Sequence, residues 1–182
     1  MSVFNVKSKV ISNRDASPPV LTNPESGLGF LKGAIGVENT GNFGTDLGAA
    51  ASNIRLLTLP SNCGLHSLEY ATGDHGTSTL DIAAWYPTNI PQGGANAPAS
   101  SLAGTLISSS AFASGIAGVD TSRAWTDAMG ANATPTLTNR NLPLWQMLGL
   151  SSDPGVDIDL GFSIRVAVVQ NGYVGLRAQY VD

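Results

Sequence analysis

The amino-acid sequence predicts a mainly β protein whose antiparallel strands form a β-sandwich of jelly-roll type. Apolar and polar residues alternate in at least six short segments, which is the pattern of strands with one buried face. These segments follow one another without helical segments between them, an order that disfavours a parallel sheet. The longest alternation runs from Val156 to Val168, near the end of the chain. A partly open barrel is the alternative architecture.

Four predicted strands come first along the chain. They cover residues 30–37, 54–59, 65–70 and 78–86, and a loop at 39–44 follows the first of them. The fourth strand has an apolar face made of Leu80, Ile82, Ala84 and Tyr86. Because these strands come in direct succession, we expect them to pair as an antiparallel meander.

The last forty residues combine a short helix with two strands. Pro143 near the first position and Gly149 just past the last predict one or two helical turns over 143–149. A three-residue loop at 170–172 then pairs the two strands as a hairpin, with Gly172 in the left-handed position and the apolar residues on one face. That face contains Val156, Ile158, Leu160, Phe162, Ile164, Val166, Val168, Val174, Leu176, Ala178 and Tyr180.

The sequence divides into an arm and one domain. Residues 1–27 are dense in turn formers and contain a Pro-Pro pair, which predicts an extended N-terminal arm, with a floppy tail as the alternative. Residues 28–182 form the β-sandwich domain, which is interrupted at about 88–138 by an insertion rich in Gly, Ala and Ser. We expect short helices in this insertion at 102–113 and 123–129.

The composition narrows the possible partners. Charged residues make up 12% of the 182 residues, about half the usual share, and a subunit built into an assembly needs less surface charge than a free monomer. The net charge is −4 and the basic residues are scattered singly, so nucleic acid is not expected as a direct partner. No apolar run approaches the roughly 20 residues of a membrane span, and the start lacks a secretory signal. We therefore expect synthesis in a cytoplasm and no membrane partner.

The candidate catalytic and metal-binding residues do not form a convincing set. His75 stands beside Asp74 at a predicted hairpin tip, where such a pair usually shapes a turn and faces water. Cys63 and His66 have the spacing of a zinc pair, but no second pair completes the site. As the chain has one cysteine, an intramolecular disulfide is impossible. The sequence predicts no catalytic residue, no metal site and no cofactor.

Two further groups of residues have a functional and a structural interpretation. Asp157 and Asp159 point the same way from one strand, and such a pair could bind calcium or serve acid–base chemistry, although regular alternation favours a solvated strand face. The tryptophans Trp85, Trp125 and Trp145 could stack on sugars or bases, although core packing is the favoured interpretation.

Several stretches resemble a family of small virion proteins of tailed bacteriophages that are associated with the head. The stretches are Asn13–Pro18, Leu31–Gly36, Arg55–Cys63, Leu80–Tyr86, Pro143–Leu150 and the closing strands that end at Tyr180-Val181. The resemblance implies a non-enzymatic decoration or cement protein on the capsid surface, assembled in the host cytoplasm. It further implies the major capsid protein as partner and a symmetric oligomer such as a trimer.

Partner contacts are predicted in two places. An extended arm could reach a neighbouring subunit and add a strand to its sheet, and Trp125 lies in the insertion. The predicted contact residues are Arg14, Pro18, Pro19, Val20, Leu21 and Trp125. The alternative functions are a tail adaptor or fibre element of the virion, and a carbohydrate-binding β-sandwich that uses Trp85 or Trp125.

Overall fold

The computed structural model describes most of the predicted domain. The described residues are 35–42, 52–90, 97–118, 124–129, 142–167 and 172–181. The chain divides into the units Met1–Gly33 and Ala34–Asp182, and both sheets belong to the second. The predicted arm, with its contact residues Arg14, Pro18, Pro19, Val20 and Leu21, lies outside the described residues.

Nine strands in the described ranges form two antiparallel sheets. The first sheet contains, in spatial order, β1 (Ile35–Asn42), β9 (Tyr173–Val181), β3 (Gly64–Thr72) and β7 (Thr126–Asp127). The second contains β2 (Asn53–Pro60), β8 (Asp157–Val166), β4 (Thr79–Trp85) and β5 (Leu106–Ser108), and β6 (Ile116–Ala117) also pairs with β4. The helical elements are α1 (Leu144–Met147) and a 3₁₀ turn (Ser100–Leu102).

The strand pairing is that of a jelly roll. β1 pairs with β9, β2 with β8, β3 with β7 and β4 with β5, so that the outermost strands of the sequence pair with each other and the inner ones follow in turn. Such nested pairing arises when one long antiparallel ribbon is rolled into two facing sheets. The predicted fold class, a mainly β antiparallel sandwich of jelly-roll type, is confirmed.

The core lies between the two sheets and is made by the apolar faces that the alternation predicts. The central strands β8 and β9 contribute Ile158, Leu160, Phe162, Ile164, Val174, Leu176, Ala178 and Tyr180, all of them buried. Burial of one large apolar side chain contributes roughly 1.5–3 kcal/mol, against about 0–1 kcal/mol for an exposed ion pair. Packing between the sheets therefore dominates stability. The face is shorter than predicted, because Val166 is 46% exposed; Val168 lies outside the described residues.

The predicted hairpin between the last two strands is wrong. β8 pairs with β2 and β4, whereas β9 pairs with β1 and β3, so these two strands lie in opposite sheets. The predicted meander is wrong for the same reason, since β2, β3 and β4 alternate between the sheets. The alternation requires only that each strand buries one face. That face is buried equally well whether two strands are paired in one sheet or lie in opposite sheets.

The first strand ends later than predicted. β1 covers Ile35–Asn42, so the start of the predicted loop at 39–44 is strand, and residues 30–34 lie outside the described residues. The Asn39 side chain donates to the Leu56 carbonyl oxygen at 3.0 Å, at the bulge of β2 where the register shifts between Arg55 and Leu57. Pairing with β9 and this bond outweigh the turn propensity of the segment.

Short strands replace the helices expected in the insertion. Within the described parts of 102–113 and 123–129, the structure has β5, β7 and the end of the 3₁₀ turn. These segments pair with β4 and β3 instead. The other predicted helix is confirmed as α1, which Pro143 precedes and Gly149 follows at a φ of 75°. No helix in the described ranges has the length and apolarity to cross a membrane.

Substitution of Gly161 by alanine should destabilise the domain strongly. The bulged part of β2 lies against this residue, and an added Cβ would stand 2.0 Å from the Ile54 carbonyl oxygen and 2.7 Å from the Arg55 Cα. Since the obstruction is backbone, we expect the free energy of unfolding to fall by more than about 2 kcal/mol in urea titrations.

Gly36→Ala is the matched control for this substitution. Nothing lies within 4 Å of a Cβ added to Gly36, so its effect should be within about 0.5 kcal/mol. Equal stabilities of the two variants would show that β2 does not approach β8 as described.

Candidate functional site

Charged side chains gather on the two sheet faces that point away from the core. The three arginines that the structure describes lie on these faces, and each forms an ion pair with a carboxylate of a neighbouring strand. The pairs are Arg55–Asp159 and Arg165–Asp81 on the second sheet and Arg177–Glu69 on the first. In the described part of each outer face, the positive charge is therefore matched by a negative one.

Arg55 occupies one end of the outer face of the second sheet. Its Nη1 lies 3.3 Å from Asp159 Oδ2 and its Nη2 donates to the Gly104 carbonyl oxygen at 2.8 Å. The guanidinium carbon stands 5.3 Å from the centre of the Trp85 ring, a cation–π distance. Thr58 donates to the other oxygen of Asp159 at 2.9 Å. These contacts fix both charged groups.

Arg165 forms a second ion pair on the same face. Its Nη2 lies 3.0 Å from Asp81 Oδ2 and donates to Ser114 at 2.9 Å. Asp81 also accepts the Gly115 backbone N–H at 2.8 Å, so this buried carboxylate is satisfied by both a cation and an amide. A depression of about 610 Å³ lies beside this pair and reaches Leu106 on β5, which is 50% exposed. The face thus combines neutralised charges with an exposed apolar side chain.

The outer face of the first sheet carries a row of charged residues in register. Glu38, Arg177, Glu69 and Asp127 stand opposite one another on β1, β9, β3 and β7. The Arg177 Nε donates to Glu69 Oε2 at 2.5 Å. Its guanidinium carbon lies 4.4 Å from the centre of the Trp125 ring. Arg177 is therefore held on two sides, by a carboxylate and by an indole.

A second row of residues borders the first and leaves a depression on this face. Gly36, Gln179 and Ser67 stand opposite one another on β1, β9 and β3. Together with Glu38, Glu69 and Arg177 they line a depression of about 400 Å³. Gly36 lies at the floor of the depression, and the space above it is open, since nothing lies within 4 Å of a Cβ added there. This depression is built from polar and charged side chains on three adjacent strands.

His75 does not face water, contrary to the prediction, because it is fully buried in the connection between the two sheets. Its Nδ1 makes a hydrogen bond with the Ser78 hydroxyl, and Ser78 is also buried. The Asp74 carboxylate accepts the Gly76 backbone N–H at 3.0 Å, which is the turn-shaping role expected of it. A buried His–Ser pair beside a carboxylate engaged in a turn cannot meet a substrate.

Cys63 and His66 are not brought together. Cys63 is fully buried, whereas His66 is exposed. In the described part of the chain, no group of three His, Cys, Asp or Glu side chains lies close enough together to hold a metal ion.

The prediction that Asp157 and Asp159 form a solvated face of one strand is correct for Asp157 only. Asp157 is exposed, whereas Asp159 belongs to the Arg55 ion pair. The upstream Asp153 accepts from the Ser61 hydroxyl at 2.5 Å and from the Gly155 N–H at 2.9 Å. These three carboxylates therefore have separate roles in the fold.

The tryptophans differ in their surroundings. Trp85 is 4% exposed and lies under Arg55, so it is not an open platform for a sugar. Trp125 is half-buried on the outer face of the first sheet, where its ring edge covers Gly175, and Trp145 is half-buried on α1. Trp125 alone of the predicted contact residues is described, and its contact with a partner stays a prediction.

Sequence reasoning did not single out the residues of the polar depression. Ser67 and Glu69, and likewise Arg177 and Gln179, occupy alternate outward positions on segments that were predicted as strands. That alternation was a signal of a shared outer face. The pairing of β3 with β9 brings the residues of the two strands together, and neither segment predicts this pairing by itself.

Comparison with known proteins gives one structural similarity. No protein-family model matches the chain, and no curated protein matches it. Among solved structures, the chain is similar to one described as "Cyanophage Pam1 capsid asymmetric unit", with 14% sequence identity and a TM-score of 0.36. The aligned region covers 92% of this chain and 96% of that chain.

Acidification should destabilise the domain through His75. Burial lowers the pKa of this histidine below its usual value of 6.5, and the nearby Asp74 carboxylate opposes the shift in part. The unfolded chain therefore takes up a proton at a higher pH than the fold does. Stability should be full above about pH 6.5 and should fall as the pH decreases from there towards the lower pKa of the folded state.

Urea unfolding between pH 7.5 and pH 5 measures this dependence. The His75→Gln variant should lose the stability change in this range, because the titrating group is gone. His66→Gln serves as the control, since His66 is exposed, and should keep the wild-type dependence. An unchanged pH profile in His75→Gln would contradict the assignment.

Proposed function

We propose that the chain is a structural, non-enzymatic protein of a tailed-phage virion, which binds the outer capsid lattice and bridges neighbouring major capsid subunits. The observation that carries the proposal is the outer face of the second sheet. There Arg55 and Arg165 are matched by carboxylates within the chain, and Leu106 is exposed beside them. The resemblance to head-associated virion proteins favours the same class.

The chemistry of this face suits a protein partner. The centres of protein interfaces are poor in unmatched charge and enriched in arginine and aromatic residues. On this face the arginines are held in fixed positions and their charges are already neutralised, so covering them costs less desolvation than covering free charges. The low share of charged residues in the whole chain, 12%, is consistent with extensive contact with other protein.

The arm at residues 1–27 is proposed as the second contact. Its residues Arg14, Pro18, Pro19, Val20 and Leu21 would anchor an extended segment on a neighbouring subunit, with strand addition to that subunit's sheet as the binding mode. Trp125 is the proposed contact on the first sheet. A symmetric oligomer, with a trimer favoured by the resemblance, would place several such arms around one lattice position.

The proposed role is to stabilise the assembled shell. A subunit that binds the assembled shell and not the separated capsomers shifts the equilibrium towards the shell by mass action. Contact with two capsid subunits at once is what makes binding depend on assembly. A tail adaptor or fibre element would use the same surfaces at another position on the virion, and images of particles with and without the protein separate these two assignments.

Leu106→Glu should lower the occupancy of the protein on shells at least tenfold. The substitution removes an exposed apolar contact and places an unmatched charge on the proposed interface, which together cost more than about 1.4 kcal/mol of binding. Co-sedimentation of the purified variant with shells that lack the protein measures the effect. Gln146→Glu, which adds the same charge to an exposed side chain of α1 outside both sheets, is the control and should bind like the wild type.

Deletion of residues 1–27 should leave a folded domain that no longer holds its place on the particle. Both sheets belong to the unit Ala34–Asp182, so the thermal unfolding transition should persist. Sedimentation of particles carrying the truncated protein should show its loss from the shell fraction. Full occupancy by the truncated protein would contradict the role of the arm.

A further inference from the structure

The polar depression on the first sheet, bordered by Glu38, Ser67, Arg177 and Gln179, has the composition of a saccharide site. We propose that it binds a neutral saccharide unit. This site lies on the sheet opposite to the proposed capsid contact around Leu106 and does not depend on that contact. Trp125, the proposed contact on the first sheet, lies against Arg177 on the side away from the depression.

The hydrogen-bonding groups of the depression are available to a ligand. Among the described residues, the Glu38 carboxylate, the Ser67 hydroxyl and the Gln179 amide make no hydrogen bond to the protein, and Arg177 bonds only through Nε. The two terminal amino groups of Arg177 therefore remain as donors. The depression offers donors and acceptors side by side, and each hydroxyl of a sugar both donates and accepts.

The charge of the depression selects an uncharged ligand. Glu38 and Glu69 are acidic and Arg177 is basic, which leaves a net local charge of about −1 at neutral pH. An anionic ligand would meet the two carboxylates, and a cationic ligand would meet a guanidinium that is fixed in place. A neutral polyol can accept from the arginine and donate to Glu38 without either repulsion.

The arginine is held in position before any ligand arrives. Glu69 binds its Nε at 2.5 Å, and the Trp125 ring lies 4.4 Å from its guanidinium carbon. Along the outer face of β9 the order is Gly175, Arg177, Gln179; Trp125 covers Gly175, so the depression opens on the other side of the arginine. Less conformational entropy is lost on binding when a long side chain is fixed in advance. Trp125 thus acts by positioning Arg177.

The space that a sugar ring would occupy exists because residue 36 is glycine. Nothing lies within 4 Å of a Cβ at this position, and its φ is not in the left-handed region. Gly36→Val would therefore fill the depression without obstruction from the fold, and a β-branched residue suits a strand. This variant blocks the site while leaving the domain folded.

Titration of the full chain with single sugars, followed by amide NMR shifts, tests the proposal. The probes are D-glucose, D-galactose, D-mannose and N-acetyl-D-glucosamine, with D-glucuronate as the charged counterpart of glucose. We expect saturable shifts with at least one neutral sugar, with a Kd on the order of 1 mM for a shallow site. Glucuronate should bind at least about fivefold more weakly than glucose, because the site is acidic.

The variants locate the binding. Gly36→Val should weaken it more than about tenfold, and Glu38→Ala or Gln179→Ala about fivefold each, the effect of one lost hydrogen bond. Asp157→Ala, which removes an exposed carboxylate of the second sheet, should bind like the wild type.

The proposal is overturned if none of the four neutral sugars binds, or if Gly36→Val binds as well as the wild type. Shell occupancy of Gly36→Val should stay at the wild-type level, which separates this site from the capsid contact.

Discussion

The apolar core shared by the two sheets, to which β8 and β9 both contribute, is the interaction on which the rest of the structure depends. Each is the central strand of its sheet and is paired on both sides, β8 with β2 and β4 and β9 with β1 and β3. Their inner faces are apolar and buried along most of their length. Because inner and outer positions alternate along a strand, burial of one face fixes which residues form each outer surface. Arg177 and Asp159 point outwards as a result.

The sequence predicts which segments are strands better than it predicts their partners. Five strands, β2, β3, β4, β8 and β9, were located close to their observed bounds because their apolar alternation is a local property, and α1 was located because Pro143 and Gly149 mark its ends. The predictions of a hairpin and a meander were wrong because the alternation shows that one face of a strand is buried. It does not show which strand pairs with that strand or which sheet packs against its face. β1, β5 and β7 depend on pairing with strands that are distant in sequence.

The same division between local and distant information applies to the candidate surfaces. Trp125 was predicted as a contact residue from its type and its place in the insertion. Its neighbour Arg177 is 52 positions away in sequence, and Glu69 is 108 positions from Arg177, so their association depends on the registers of β3, β7 and β9. His75 was assigned to the surface because an Asp-His pair in a turn usually lies there. It is buried because the loop passes between the two sheets, which requires the jelly-roll connection.

The unequal lengths of the edge strands give the sandwich two different sides. Among the described strands, the edges at one side are β7 and β5, of two and three residues, and at the other β1 and β2, of eight residues each. Very short edge strands offer little backbone for another chain to pair with, and this protects a protein of low charge against uncontrolled edge-to-edge aggregation. Growth of either sheet by an added strand is therefore directional. The longer edges for such growth lie on the side where the Asn39 side chain joins β1 to β2.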